Sequence, residues 1–238
     1  MRTAVVVPAY DAAPTIGAVL AGLVARFPPP SVLLVVDDGS RDETAAYAER
    51  AGATVVRHGH NRGKGAALRT GLHEARARGC DVAITVDADG QHPPEEAWRM
   101  HHACADAEAL VVGVRDLRAA GAPRPNQLSN AFSNLVMSAF VGARLSDTQC
   151  GLRRYPIATT LALGGREPGY GFEAELLIRA VAAGMHIVEV PIAVRYPPER
   201  VTHFDAWREP PRIVKCVLST VAETRVRRLA SSWGGRDR

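Results

Sequence analysis

The chain contains no run approaching the roughly 20 consecutive apolar residues that a bilayer-spanning helix needs, which excludes a membrane-integral role. Its N-terminus enters a strand pattern without a charged leader and apolar core, so a cytoplasmic protein is expected. Cysteine is scarce. Cys80, Cys104, Cys150 and Cys216 show no CxxC spacing, which argues for free thiols in a reducing compartment and against zinc sites or disulfides. The GxxxxGKS/T loop of P-loop enzymes is absent, as are internal repeats and low-complexity tracts. The 238 residues are 47% hydrophobic and 23% charged, enough for a sizeable core in one catalytic domain. A net charge of +4 is modest, and no nucleic-acid partner is expected.

Apolar strand patterns at about 3–8, 31–37, 54–58, 82–87 and 110–114 alternate with helical ones at about 14–26, 42–51, 63–78 and 94–107. Such alternation implies right-handed crossovers and a mostly parallel α/β sheet. Pro14 suits a first helical turn, and Asp42 is placed to cap the second helix. Three strands release polar groups at their carboxyl ends, which is the crevice where open parallel sheets bind ligands. The first ends in Pro8-Ala9-Tyr10-Asp11, the second in Asp37 and Asp38, and the fourth in Asp87-Ala88-Asp89-Gly90-Gln91.

Side chains two apart on an extended chain share a face, so Asp87 and Asp89 can hold one cation, helped by the amide oxygen of Gln91. Oxygen donors select hard ions such as Mg²⁺ or Mn²⁺, which keep positions open for phosphates. In Asn61-Arg-Gly-Lys-Gly65 the glycines allow close backbone approach, and Lys64 is either a base or phosphate contact or a solvated helix-start charge. Beyond Val114 the alternation stops. Arg115 to Gln127 reads as a mobile loop whose Arg115, Arg118 and Arg124 are either bidentate phosphate contacts or merely solvated basic side chains, followed by a helix at about 129–142.

PAYD, DDGSRDET, NRGKGAALRTG, DADGQHPPE, DTQCGLRRY and GYGFEAELLIRA, in that order from about Val5 to Tyr196, resemble the family 2 glycosyltransferases with the GT-A fold. DADGQHPPE and DTQCG are most similar to the polyprenyl-phosphate (dolichyl-phosphate) hexosyltransferase branch. The resemblance implies a Rossmann-like α/β/α sandwich and a metal-dependent, inverting transfer of a hexose from a UDP- or GDP-sugar. By family position, Asp38 accepts from the nucleotide base, Pro8, Ala9 and Tyr10 line it, Asp11 meets the ribose, and Ala88 belongs to the donor pocket. The implied acceptor is a polyprenyl phosphate or other glycolipid or envelope-glycan precursor.

Two acidic positions compete for the base: Asp147, read at the start of a strand, and Glu173, where the family pattern carries a more familiar Asp. A lipid phosphate, already ionised near neutral pH, needs neither. Glu175 is expected to pair with Arg179 at i,i+4. Val188–Val194 reads as a strand and Tyr196–His203 as a loop; Ile213–Leu229 follows as a helix with a basic end at Arg225, Arg227 and Arg228. Such a helix can rest at the inner face of a membrane, although packing on its own domain is commoner. One domain over 1–229 is expected, with a donor half at 1–114, an acceptor half at 115–229 and a flexible basic tail at 230–238. A sugar-1-phosphate nucleotidyltransferase would need a Gly-rich basic loop where PAYDAAP stands. A non-catalytic nucleotide-sugar-binding module would lose the acceptor base.

Overall fold

The computed structural model describes residues 1–142, 144–196 and 208–234. At its centre lies β1 (Thr3–Ala9), buried at every position. It pairs in parallel with β2 (Val32–Asp37) on one side and β4 (Val82–Thr85) on the other, while β3 (Thr54–Arg57) extends the sheet beyond β2. Alternate side chains of β1 enter different cores. Ala4 and Val6 pack with Leu68 and Leu72 of α3 (Lys64–Ala77), whereas Val5 and Val7 pack with Ile16 and Leu20 of α1 (Ala13–Arg26). A strand covered on both faces is apolar without alternation, which explains the unbroken run in the sequence. Asp42 serves two helix starts at once, accepting from Thr44 N–H at the head of α2 (Thr44–Arg50) and from Ala13 N–H of α1.

The rest of the chain completes a seven-stranded sheet in the order β3-β2-β1-β4-β6-β5-β7. Here α4 (Pro94–His102) precedes β5 (Leu110–Arg115), α5 (Arg124–Val141) precedes β6 (Arg153–Pro156), and α6 (Ile157–Ala162) and α7 (Phe172–Ala182) precede β7 (Ile187–Ile192) and α8 (Glu209–Gly234). β6 runs antiparallel between β4 and β5, and the other pairings are parallel. β5 therefore bonds only to β6 and β7, so the stretches 1–114 and 115–229 interleave in the sheet. The architecture is the mostly parallel α/β sandwich expected.

Several boundaries differ from the sequence reading. The loop after β5 spans only 116–123, because Pro125 is tolerated in a first helical turn and α5 starts at Arg124. Asp147 lies in an irregular connection rather than at a strand start, since β6 begins at Arg153. α8 extends through Ala230 to Gly234, with no glycine or proline to interrupt it from Ile213 until Gly234. Residues 197–203 of the expected loop and 235–238 of the expected tail lie outside the described residues. The four cysteines are free, and Glu175 pairs with Arg179 at 2.8 Å.

Candidate active site

The carboxyl ends of β1, β2 and β4 open into a cleft of about 610 Å³. Chain order reverses between β1 and β4, so the connections leave in opposite directions and a crevice forms there. Pro8, Ala9, Tyr10, Asp38, Lys64, Asp87, Ala88 and Asp89 all line it, as the sequence suggested. The facing wall was not foreseen. It comes from Pro168, Gly169 and Tyr170 ahead of α7 and from Glu209 and Arg212 at the head of α8, with Arg62 at the rim. Of these, only Arg62 and Gly169–Tyr170 carried a signal, lying beside or within quoted motifs.

At the floor, Lys64 Nζ lies 2.8 Å from Asp87 Oδ1 and 3.0 Å from Glu173 Oε2. Burial disfavours the Lys64 ammonium, but the two carboxylates outweigh it and hold its pKa above the ordinary lysine value. Burial likewise pushes the Asp87 carboxyl up, while Lys64, His92 and Arg115 together bring it below its ordinary value. Glu173 stands in the first turn of α7, where the helix dipole favours negative charge. Its Oε1 is buried and has no hydrogen-bond partner. An unsatisfied buried carboxylate oxygen is expensive, which leaves this atom able to accept from a water or a ligand.

Backbone fit brings the remote segments together. A Cβ at Gly151 would sit 2.2 Å from Asp87 Oδ2, so only glycine lets the DTQCG segment lie against this carboxylate. Arg153, completely buried on β6, donates to Cys150 O, Thr148 O and Glu173 O and so fixes that segment to the head of α7. Gly63 adopts φ +97° at the start of α3, and a Cβ there would meet Pro168 O at 2.4 Å. The adjacent Ala66 N–H donates to Pro168 O, which joins the two walls of the cleft.

Other predicted residues have their own partners. Asp38 Oδ1 accepts from His58 and from Arg62 N–H, and Oδ2 accepts from Gly63 N–H at 2.7 Å, so it shapes the NRGKG loop from within the cleft. Asp11 accepts from Arg41 N–H at 2.7 Å, outside the residues that line the cleft. Asp89 accepts from both the backbone and side-chain nitrogens of Gln91, which places Gln91 as a support for Asp89. Among the described residues no group of three or more His, Cys, Asp or Glu side chains is placed to hold a metal ion. Two carboxylates at a cleft wall nevertheless fit a hard cation that draws its remaining oxygens from phosphates and water.

Asp147 and the three arginines, Arg115, Arg118 and Arg124, lie away from the cleft lining. Asp147 is 2% exposed and fully engaged, accepting from Arg115, Asn130 and Gln149, with Arg115 Nε at 2.7 Å and Nη2 at 2.9 Å. Burial raises its pKa, but Arg115 and Asn130 outweigh that and hold it below the ordinary value. Arg115 correspondingly bonds to Asp147 and does not line the cleft, although its charge reaches Asp87. Arg118 and Arg124 are exposed and also lie outside the cleft lining.

A family model described as Glycosyl transferase family 2 matches residues 4–159. The chain is 31% identical to an undecaprenyl-phosphate mannosyltransferase of Micrococcus luteus, over 81% of this chain and 83% of that protein. It is 32% identical to a dolichyl-phosphate hexose transferase of Haloferax volcanii, over 94% and 96%. Glucosyl-3-phosphoglycerate synthase from Mycobacterium tuberculosis, solved with Mn²⁺, uridine diphosphate and phosphoglyceric acid, superposes with a TM-score of 0.72. That likeness, at 21% identity over 94% of this chain and 78% of the other, concerns the fold.

Proposed function

The chain belongs to glycosyl transferase family 2 and is a glycosyltransferase, and from that premise we propose that it transfers a hexose from a UDP- or GDP-sugar to a polyprenyl phosphate with inversion. Supporting the reading most directly is the Lys64 ammonium, which lines the cleft and joins Asp87 to Glu173, buried just behind the lining at the head of α7. Asp38, Pro8, Ala9 and Tyr10 would hold the nucleotide base, with Asp11 behind them toward the ribose. Asp87 and Asp89, the latter oriented by Gln91, would hold Mg²⁺ or Mn²⁺. Such an ion supplies charge neutralisation for the departing diphosphate. Ala88 leaves room beside it, and Lys64 adds a fixed positive charge at the same end. Arg118 and Arg124, on the loop and helix head that follow β5, would close over the phosphates.

The acceptor oxygen attacks the anomeric carbon from the face opposite the diphosphate; that carbon's bond to the diphosphate breaks, and the nucleoside diphosphate leaves. A phosphate acceptor brings an ionised oxygen, so no proton need be removed. Glu173 then orients the acceptor, whereas for a hydroxyl acceptor it is the base. No described helix is long and apolar enough to cross a membrane, and the proposal places the enzyme at the cytoplasmic face, where it meets its lipid from outside the bilayer. The test is incubation of purified protein with labelled UDP- or GDP-sugars, a polyprenyl phosphate in detergent, and Mn²⁺ or EDTA. Cation-dependent label in the organic phase is expected. Label confined to water-soluble or protein-bound product would reject the lipid-phosphate acceptor.

A further inference from the structure

α5 is amphipathic in the inverted sense. Leu128, Phe132 and Leu135, spaced i, i+4 and i+7 along one face, are 72%, 65% and 69% exposed. The opposite face carries much of the helix's polarity inward. Asn130 donates to Asp147, Asn134 donates to Ser146 O and accepts from Thr148 N–H, and Ser133 bonds the Thr148 hydroxyl. Among the described side chains of this helix, Met137 and Phe140 join the core. A helix folding in water places its apolar stripe inward. Here the inward face is reserved for positioning Asp147, and the stripe is left outside.

The neighbouring helix shows the same tendency. α8 packs Cys216, Val217 and Val221 inward yet exposes Val214 and Leu218, each 49%. α5 and α8 touch each other, and both lie against α7.

We propose that the exposed apolar faces of α5 and α8 are the surface by which this protein docks on an anionic lipid bilayer, without spanning it. Charge selects this occupant over a second copy of the chain. α5 has no acidic residue, and its one charge is the exposed Arg124 at its head. Among the described side chains of α8, Glu209 and Glu223 are paired with Arg212 and Arg179, which leaves Lys215 and Arg225 as exposed cations. An apolar stripe rimmed by cations and without unpaired carboxylates matches anionic headgroups over acyl chains. Two copies meeting through it would bring like charges together. The head of α8 also contributes Glu209 and Arg212 to the cleft, so docking would set the cleft mouth at the headgroup level. The proposal deepens the lipid-acceptor reading and rests on it for its purpose, but its test does not.

Flotation with vesicles of equal parts phosphatidylcholine and phosphatidylglycerol, without donor or acceptor, reads docking alone. The wild type should float with these vesicles and much less with pure phosphatidylcholine. The triple variant L128S/F132S/L135S should lose on the order of 100-fold in partitioning, from withdrawing three large apolar side chains. Because these side chains are exposed, its melting temperature should match the wild type. The pair K215E/R225E should weaken binding to anionic vesicles only. Absence of wild-type binding, equal binding by the triple variant, or a wild-type dimer that the triple variant converts to monomer would each overturn the proposal. Transfer to polyprenyl phosphate in detergent, measured separately, succeeds or fails with the acceptor reading and not with this surface.

Discussion

Replacing Lys64 by methionine tests whether the cluster at the cleft floor is a charge-balanced cation site. The substitution keeps the length and most of the packing of the side chain but removes the charge shared by Asp87 and Glu173 at 2.8 and 3.0 Å. Two carboxylates would then face each other with little solvent. Removing one partner of a buried ion pair costs about 3–5 kcal/mol. Asp87 keeps 25% of its side-chain surface exposed, which sets the expected loss at the lower end, about 3 kcal/mol. For a chain of this size that corresponds to a fall in melting temperature of roughly 6–12 °C. The informative comparison adds MnCl₂ with uridine diphosphate to each protein. A divalent ion at Asp87 and Asp89 replaces the missing charge in the variant, so ligand should raise its melting temperature more than that of the wild type. Differential scanning fluorimetry with and without EDTA gives both numbers. A K64M protein that melts with the wild type, or gains no more from Mn²⁺ and nucleotide, would refute the charge-balance account.

Asp89→Asn removes an oxygen ligand's charge without changing its size, so transfer should be abolished while circular dichroism stays native; full turnover by the variant in EDTA would count against the metal assignment. Glu173→Gln should slow transfer to a hydroxyl acceptor by about 10²-fold or more and to a phosphate acceptor far less. Measuring both acceptors with one preparation settles whether Glu173 is a base or an orienting group. Asp147→Asn should destabilise by about 3 kcal/mol, because Arg115 is left buried without its counter-charge. The folded pKa of Asp147 lies below the unfolded value, so its contribution is present above about pH 4 and is lost as pH falls through the folded value. The variant should therefore lose less stability than the wild type on acidification in that range, and parallel acid limbs in urea melts would contradict the buried pair.

The strand-end cleft was legible because its chemistry and its local structure coincide. Apolar runs buried on both faces announced β1, β2 and β4, and the residues released at their ends, from Pro8 to Asp89, line the cleft. The acidic residues of the second half were harder to place, for a physical reason. Asp147 and Glu173 look equivalent in the sequence, and only long-range partners distinguish them: Arg115 consumes one, while Lys64 leaves an oxygen of the other unpaired. Arg153 and Arg154 were invisible as structural residues, since consecutive arginines in a strand read as surface. In the sheet they point to opposite faces, and both bind carbonyls, Arg154 those of His101, Cys104 and Asp106. The apolar spacing of α5 would place Leu128, Phe132 and Leu135 in a core, and nothing short of tertiary structure shows that the asparagines took that side.

The position of β6 bears on how the chain comes to be folded at all. β5 is synthesised well before β6, its neighbour across the antiparallel pairing, with residues 116–152 between them, and β7 follows later still. While the ribosome makes that intervening stretch, β5 has neither partner, and its free edge is open to mispairing. The sheet from β3 to β4 can assemble early, but β4 keeps an open edge until Arg153–Pro156 emerges and joins it to β5. Completion is therefore non-local and late. A chaperone that shelters the β5 edge, or slower translation after β6, should raise the yield of native protein more than changes near the N-terminus would.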